Sequence, residues 1–322
     1  MPRGDGDDIK MSQIAVGVVG AGVFGRYHAQ KLAAAPRARI SAVFDIDAGR
    51  ARELATAVGV DVADTLDALL ERSDAVVVAA PASVHVRIAE QVLAAGKHCL
   101  VEKPLSLNVD DADRLIEAAM TSDLVLQVGH QERYVADAFN LSKLGAASDR
   151  LSFRRCGPRS GRCEDVSVVW DLMIHDFDLA RRFGFGEPVS VVAHGDDDAT
   201  RAVMTFDDGR AIEFFASRCA ESVERTVSFH KGGAARVFDF CGPAFLNAPE
   251  GDFAVARDAE LVADPLGYGV RDFVNAVIYK RAPIVSGRDG RGAVAWAAAV
   301  DEALVRNAAA LEPADLLREA VA

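Results

Sequence analysis

The sequence predicts two units in tandem: a doubly wound α/β domain with a parallel sheet, then an α+β domain with a mostly antiparallel sheet. Three observations predict this. The chain has 322 residues, more than one hydrophobic core usually serves. Up to about residue 129, apolar runs alternate with helical patterns, the order of a parallel sheet covered on both faces. Beyond that point, strand-like runs follow one another with no helix between them, as antiparallel neighbours do. The expected boundaries are 1–11 for a flexible extension, 12–129 for the first domain and 130–322 for the second.

The elements follow in order. "QIAVGVVGAGVFGRYHAQKLAAA" opens as an apolar strand, turns on glycines and becomes a helix. "ARISAVFDID" is a buried strand ending in acid, and "ARELATAVGV" and "TLDALLER" are short helices. "DAVVVAAP" is a strand stopped by Pro81, and "VHVRIAEQVLAAG" is a helix with a glycine at its end. "KHCLVEKP" is the next strand, "VDDADRLIEAAMTS" a helix with an acidic first turn, and "LVLQVGH" another strand. The second unit opens with a helix over about 133–144 and the strand "RLSFRRC", then a helix from about Asp171. A run of strands comes next, in which "FDDGRAIEF" carries an Asp-Gly hairpin signal. Two helices, "YGVRDFVNAVIY" and "GAVAWAAAVDEALVRN", close the chain.

Composition narrows the function. A net charge of −12 argues against nucleic acid or an anionic membrane as partner. No apolar run reaches the roughly 18 residues of a membrane span, and "MPRGDGDDIK" has no apolar secretory core. The expectation is a cytoplasmic protein. Cys99, Cys156, Cys163, Cys219 and Cys241 form no C-x-x-C pair, so they read as reduced thiols and no metal site is expected.

Gly20-Ala21-Gly22-Val23-Phe24-Gly25 lies between a strand and a helix, and Asp45 ends the next strand. In this context Gly20 makes the tight turn, Gly22 lets a pyrophosphate approach the backbone, and Gly25 lets helix and strand pack closely. Val23 and Phe24 begin the helix whose N-terminus faces the anion. Asp45 suits a ribose diol and repels a 2′-phosphate, so the expected cofactor is NAD rather than NADP.

In doubly wound folds the ligand lies beyond the carboxyl ends of the strands. Ala80, Pro81 and Lys103 are at such ends. The Lys103 ammonium is therefore expected beside a nicotinamide, where it can exchange protons, with Glu102 holding it or the cofactor. "WDLMIHDFDLARRF" places Asp171, His175 and Asp178 at spacings of four and three, one helix face. A carboxylate on each side of His175 is expected to favour its cation and fix its tautomer. The arginines of "RLSFRRCGPRSGR", among them Arg155, Arg159 and Arg162, suit phosphate oxygens and suggest a phosphorylated or nucleotide-activated sugar.

"GVVGAGVFGRYHAQ", "PASVHVRIAEQVLAAGKHCLVEKPLS" and "LQVGHQERY" resemble the glucose-fructose oxidoreductase / inositol dehydrogenase (Gfo/Idh/MocA) family over nearly the whole chain. The resemblance implies a Rossmann domain followed by an α+β domain with a large open-faced sheet. It implies that Lys103 of the E-K-P motif lines the nicotinamide and substrate site. Pro81, His85 and Arg133 match the family on the cofactor side. Asp171 and His175 match its D-x-x-x-H, placed over the substrate. The segment "DVSVVW" departs from the family by lacking glycines before that aspartate. The implied reaction is hydride transfer between nicotinamide and a secondary alcohol of a sugar; His175 is read as the base, oriented by Asp171, with Lys103 stabilising the alkoxide, or Lys103 and His175 exchange these roles. The arginine-rich stretch also resembles members acting on the 3-hydroxyl of UDP-N-acetylglucosamine-type sugars. A free sugar or inositol dehydrogenase, an NAD-recycling glycosidase and a non-catalytic NAD(H) or sugar sensor are the alternatives. The family commonly pairs its C-terminal sheets, so a homodimer or homotetramer is expected.

Overall fold

The computed structural model describes residues 13–161, 165–247 and 259–310. Strands β1 (Ile14–Val19), β2 (Ala38–Phe44), β3 (Ala75–Val78), β4 (His98–Val101) and β5 (Leu126–Val128) form a parallel sheet in the order β2-β1-β3-β4-β5. Helices α1 (Val23–Ala33), α2 (Ala48–Val58), α3 (Leu66–Glu71), α4 (His85–Ala94) and α5 (Val109–Thr121) connect them. β3 is buried along its whole length, because helices cover both faces. The helix ends follow local chemistry. Asp47 Oδ1 caps α2 by accepting from the Gly49 and Arg50 amides, and Gly59 closes that helix at φ 72°. Asn108 caps α5 in the same way.

The expected helix over 133–144 is two short ones, α6 (Glu132–Ala138) and α7 (Leu141–Ala146). Asn140 between them sits at φ 54°, a left-handed conformation that interrupts the helix and that asparagine tolerates. Strand β6 (Arg150–Cys156) follows. The helix expected from Asp171 begins earlier, as a wide π-helical turn, Val169–Met173, that runs into α8 (Ile174–Arg182).

The second sheet adds β7 (Ser190–Gly195), β8 (Ala199–Thr205), β9 (Ala211–Ser217), β10 (Glu224–Lys231), β11 (Ala234–Asp239) and β12 (Ala244–Phe245). Its order is β12-β11-β10-β6-β9-β8-β7, with β6 and β9 parallel and the other pairs antiparallel. α9 (Ala259–Ala263), α10 (Pro265–Tyr279) and α11 (Gly287–Ala310) complete the described residues. α10 packs on α1, and α11 packs on α5, α8 and β7. The last helices thus bind the two sheets together.

Alternation sorts the second sheet. Val227 and Phe229 of β10, Phe153 of β6 and Phe214 of β9 are buried. With Phe177 and Trp296 they form an aromatic core, in which Phe177 and Phe214 meet edge to face at 4.9 Å. Each such ring contributes roughly 1.5–3 kcal/mol by leaving water. The opposite face is half exposed and carries Val192, Val203 and Phe215 among ion pairs such as Arg154–Glu224 and Arg201–Glu213.

Candidate active site

The glycine loop is built by exclusion. Gly20 has φ 97°, and a Cβ there would collide with the Ala79 carbonyl. A Cβ on Gly25 would collide with the Gly20 carbonyl, so α1 could not approach β1. Around Gly22 there is nothing within 4 Å of where a Cβ would be, and no side chain caps α1 there. That space and the uncapped amides from Val23 and Phe24 onward fit a pyrophosphate. Asp45 leaves the end of β2 and accepts from the Ala21 amide at 2.7 Å and the Asp47 amide at 2.8 Å. It holds the loop to the end of β2. Gly22 has φ −71°, which any residue adopts. Gly22→Ala should therefore leave urea stability unchanged within about 0.5 kcal/mol. NAD affinity, measured by titration calorimetry, should fall at least about tenfold.

Next to this loop, β3 runs on into Ala80 and Pro81, and β4 into Glu102 and Lys103, with a cis Lys103–Pro104 peptide. Three expected cofactor contacts have partners inside the protein. His85 is buried, its Nδ1 2.7 Å from the Pro104 carbonyl and its Nε2 2.8 Å from that of Ala80. It ties the two strand ends together, and burial pushes its pKa down. Glu102 accepts from His28 Nε2 at 2.6 Å, from Gln131 at 2.8 Å and from the Lys103 amide at 3.3 Å, with no bond to the Lys103 ammonium. Burial alone would raise its pKa, but the His28 contact, Lys103 and Gln131 hold it below the ordinary carboxylate value. Arg133 is buried in ion pairs with Asp178 and Asp289. These residues form the walls of the site.

Lys103 turns toward the π-helical turn of the second unit. Its Nζ donates to Asp171 Oδ1 at 2.8 Å and to the Asp171 carbonyl at 2.7 Å. The parallel sheet and the π-helical turn thereby meet at one ammonium. His175 lies one turn further on. It makes no hydrogen bond among the described residues, its Nδ1 is buried, and its ring meets that of His130 edge to face at 6.1 Å. Burial, then the charges of Lys103 and Arg155, push its pKa well below 6.5. The expected cationic histidine between two carboxylates is thus corrected: Asp171 is taken by Lys103 and Asp178 by Arg133, and burial disfavours the His175 cation.

The arginines also divide. Arg155 is 3% exposed and is held by Asp176 and Glu132 through Nε and both terminal nitrogens. Its proposed substrate contact is corrected, since no N–H group that makes these bonds is left for a phosphate. Arg155→Met would strand the buried Asp176 and remove the main partner of the half-buried Glu132, and should cost about 3–5 kcal/mol of stability in urea unfolding. Arg159 is exposed, pairs with Asp198 and lines a cleft of about 760 Å³ with Trp170 and Arg218. Arg162 lies outside the described residues. The spacing of motifs missed His130 and His28. Yet Gly25, His28, Ala29 and Leu32 are the buried face of α1 at helical spacing, which could have revealed His28.

A parallel sheet with a glycine-lined anion site beside a lysine at a strand end is the architecture of a dinucleotide-dependent oxidoreductase. The chain belongs to the Gfo/Idh/MocA family: that oxidoreductase family's model, with its NAD-binding Rossmann fold, matches residues 14–130. It is 34% identical to UDP-N-acetylglucosamine 3-dehydrogenase of Acidithiobacillus ferrooxidans, covering 89% of this chain and 96% of that one. The solved structure of that enzyme superposes with a TM-score of 0.81, over 91% of this chain and 98% of the other. Inositol 2-dehydrogenase of Rhizobium meliloti is 28% identical, covering 92% and 97% of the two chains. GenD2 from gentamicin A biosynthesis, solved in complex with NAD, is 29% identical with a TM-score of 0.77, covering 96% and 97%.

Proposed function

We propose that this chain oxidises a secondary alcohol of a sugar, and that the sugar is of the UDP-N-acetylglucosamine type, oxidised at the 3-hydroxyl. The observation that carries the reaction class is the Lys103–Asp171 pair beside a neutral His175, at the strand ends that also carry the glycine loop. Bound NAD supplies the hydride acceptor. The protein's share is proton handling and charge. Neutral His175 accepts the hydroxyl proton. The Lys103 ammonium, held by Asp171, stabilises the developing alkoxide. Asp171 thus orients Lys103, not His175.

The nucleotide-sugar reading is supported by the 34% identical UDP-N-acetylglucosamine 3-dehydrogenase, matched along 96% of its length. A diphosphate would compete with Asp198 for Arg159. The second reading, an inositol or other free polyol, is favoured by the 28% identical inositol 2-dehydrogenase. We read the half-exposed face around Val192, Val203 and Phe215 as the contact with a second copy, giving a homodimer or homotetramer. We place the reaction in the cytoplasm. Among the described residues no helix is long and apolar enough to cross a membrane.

The test is absorbance at 340 nm with NAD and a panel of nucleotide sugars, free sugars and polyols. A rise with UDP-N-acetylglucosamine, absent in Lys103→Ala, supports the reading. A rise only with inositol moves the substrate to the second reading, and no rise despite NAD binding overturns net alcohol oxidation.

A further inference from the structure

Beneath Glu102, helices α1, α6 and α10 meet strand β5 around a cavity of about 10 Å³. Three buried polar atoms belong to its lining residues: His28 Nδ1, Gln127 Oε1 and Tyr134 Oη. None has a protein partner among the described residues, and their side chains belong to residues only 1–2% exposed. Buried polar groups are rarely left unpaired, so three on the lining of one cavity point to a common ligand.

The other end of each side chain fixes what that ligand must do. His28 Nε2 faces Glu102 Oε1 at 2.6 Å. An ionised carboxylate only accepts, so Nε2 carries a hydrogen. Nδ1 then accepts if the ring is neutral and donates if it is charged. Gln127 Nε2 donates to the Gly269 carbonyl at 2.9 Å, which leaves Oε1 as an acceptor. The Tyr134 hydroxyl can do either; its ring is wedged against Tyr268, with centroids 5.1 Å apart. One water meets every demand in both charge states of His28, and three bonds are what a buried water typically makes. The cavity has about the room one water needs. None of the three atoms is a carboxylate oxygen, so a metal cation is a poorer match.

We propose that this cavity binds one ordered water, closing a buried chain from Tyr134 through the water and His28 to Glu102. The chain ends at the active site, because Glu102 Oε2 accepts from the Lys103 amide at 3.3 Å. His28, Gln127 and Tyr134 are therefore positioning residues for the strand end that carries Lys103. Gln127 also ties the site to α10 through Gly269. The water itself is independent of the proposed function; its effect on turnover rests on that reading.

The test has two separate readouts. The first is a crystal structure of the wild-type protein at a resolution that shows waters. It should show one peak within hydrogen-bonding distance of all three atoms, and Tyr134→Phe should lose it. A dry cavity, or the three side chains bonding one another, overturns the site whatever the activity. The second readout compares His28→Gln with His28→Leu. Gln can still donate to Glu102 and offer an oxygen to the water, whereas Leu can do neither. Leu should lose kcat several-fold with KM unchanged, and Gln should restore most of it. Equal kcat in a folded Leu variant and wild type overturns the positioning role. If the Leu variant does not fold, Tyr134→Phe supplies the same comparison. If no substrate is turned over, the crystallographic readout still decides the water.

Discussion

Lys103→Ala should lower kcat by about 10³-fold, within the range for removing a positioned proton-handling or charge-stabilising group. NAD affinity should stay within about threefold, because the glycine loop and Asp45 do not touch the side chain that is lost. The variant does more than delete an ammonium. It leaves the Asp171 carboxylate, 17% exposed in its side chain, facing the cleft with no counter-charge. An alkoxide forming there would then meet a negative group in place of a positive one. Asp171→Asn tests that account: Lys103 keeps its bond to the Asp171 carbonyl, so the loss should be smaller, about 10- to 100-fold. Lys103→Arg should not rescue, since a planar fork cannot repeat both bonds of a compact ammonium. Stopped-flow absorbance and NAD titration check these outcomes. If Asp171→Asn lost as much as Lys103→Ala, Asp171 would have a direct chemical role.

The pH profile carries the second large effect. Burial and the positive charges of Lys103 and Arg155 keep His175 neutral well below its ordinary value of 6.5. As the base it must be neutral, so kcat/KM should stay level through pH 6.5 and fall only on the acid side, as pH drops through the lowered value. His175→Gln should remove that acid limb together with about 10²–10⁴-fold of the rate. Stability follows a related rule with its own sign. His85, His130 and His175 all resist protonation when folded, mainly through burial, whereas an unfolded chain takes up these protons from about pH 6.5. The unfolded state therefore binds more protons below that pH, and stability falls as pH falls. Asp176 works in the opposite direction. Burial pushes its carboxyl up to about 6 despite Arg155, so the folded state takes its proton first and offsets part of the loss between about 6 and 3.8. Melting temperature against pH should slope downward below 6.5, less steeply than it would without Asp176.

The cofactor half of the site was legible because its geometry is local. Gly20 and Gly25 stand where a neighbouring carbonyl leaves no room for a Cβ, Gly22 faces open space, and Asp45 follows the adjacent strand. Lys103 was legible as a strand-end residue before a proline. The substrate half was not, because its partners come from far along the chain. Asp171 and Asp178 share a helix face with His175, but Lys103, 68 positions away, takes one and Arg133, 45 positions away, takes the other. Periodicity cannot show which distant cation wins a carboxylate. Arg155 is a different case, since the alternation of Leu151, Phe153 and Arg155 in β6 already placed it on the buried face. Reading it as part of an arginine cluster overrode that pattern. The π-helical turn had no sequence signal that we can identify.

The central claim is that this cleft moves a hydride from a sugar carbon. The most direct measurement is mass spectrometry of the nicotinamide after incubating NAD and protein with UDP-N-acetylglucosamine deuterated at C3. Deuterium in NADH from the wild type, and none from Lys103→Ala, is the predicted result. NADH formed without deuterium, or deuterium transfer unaffected by Lys103→Ala, would contradict the account.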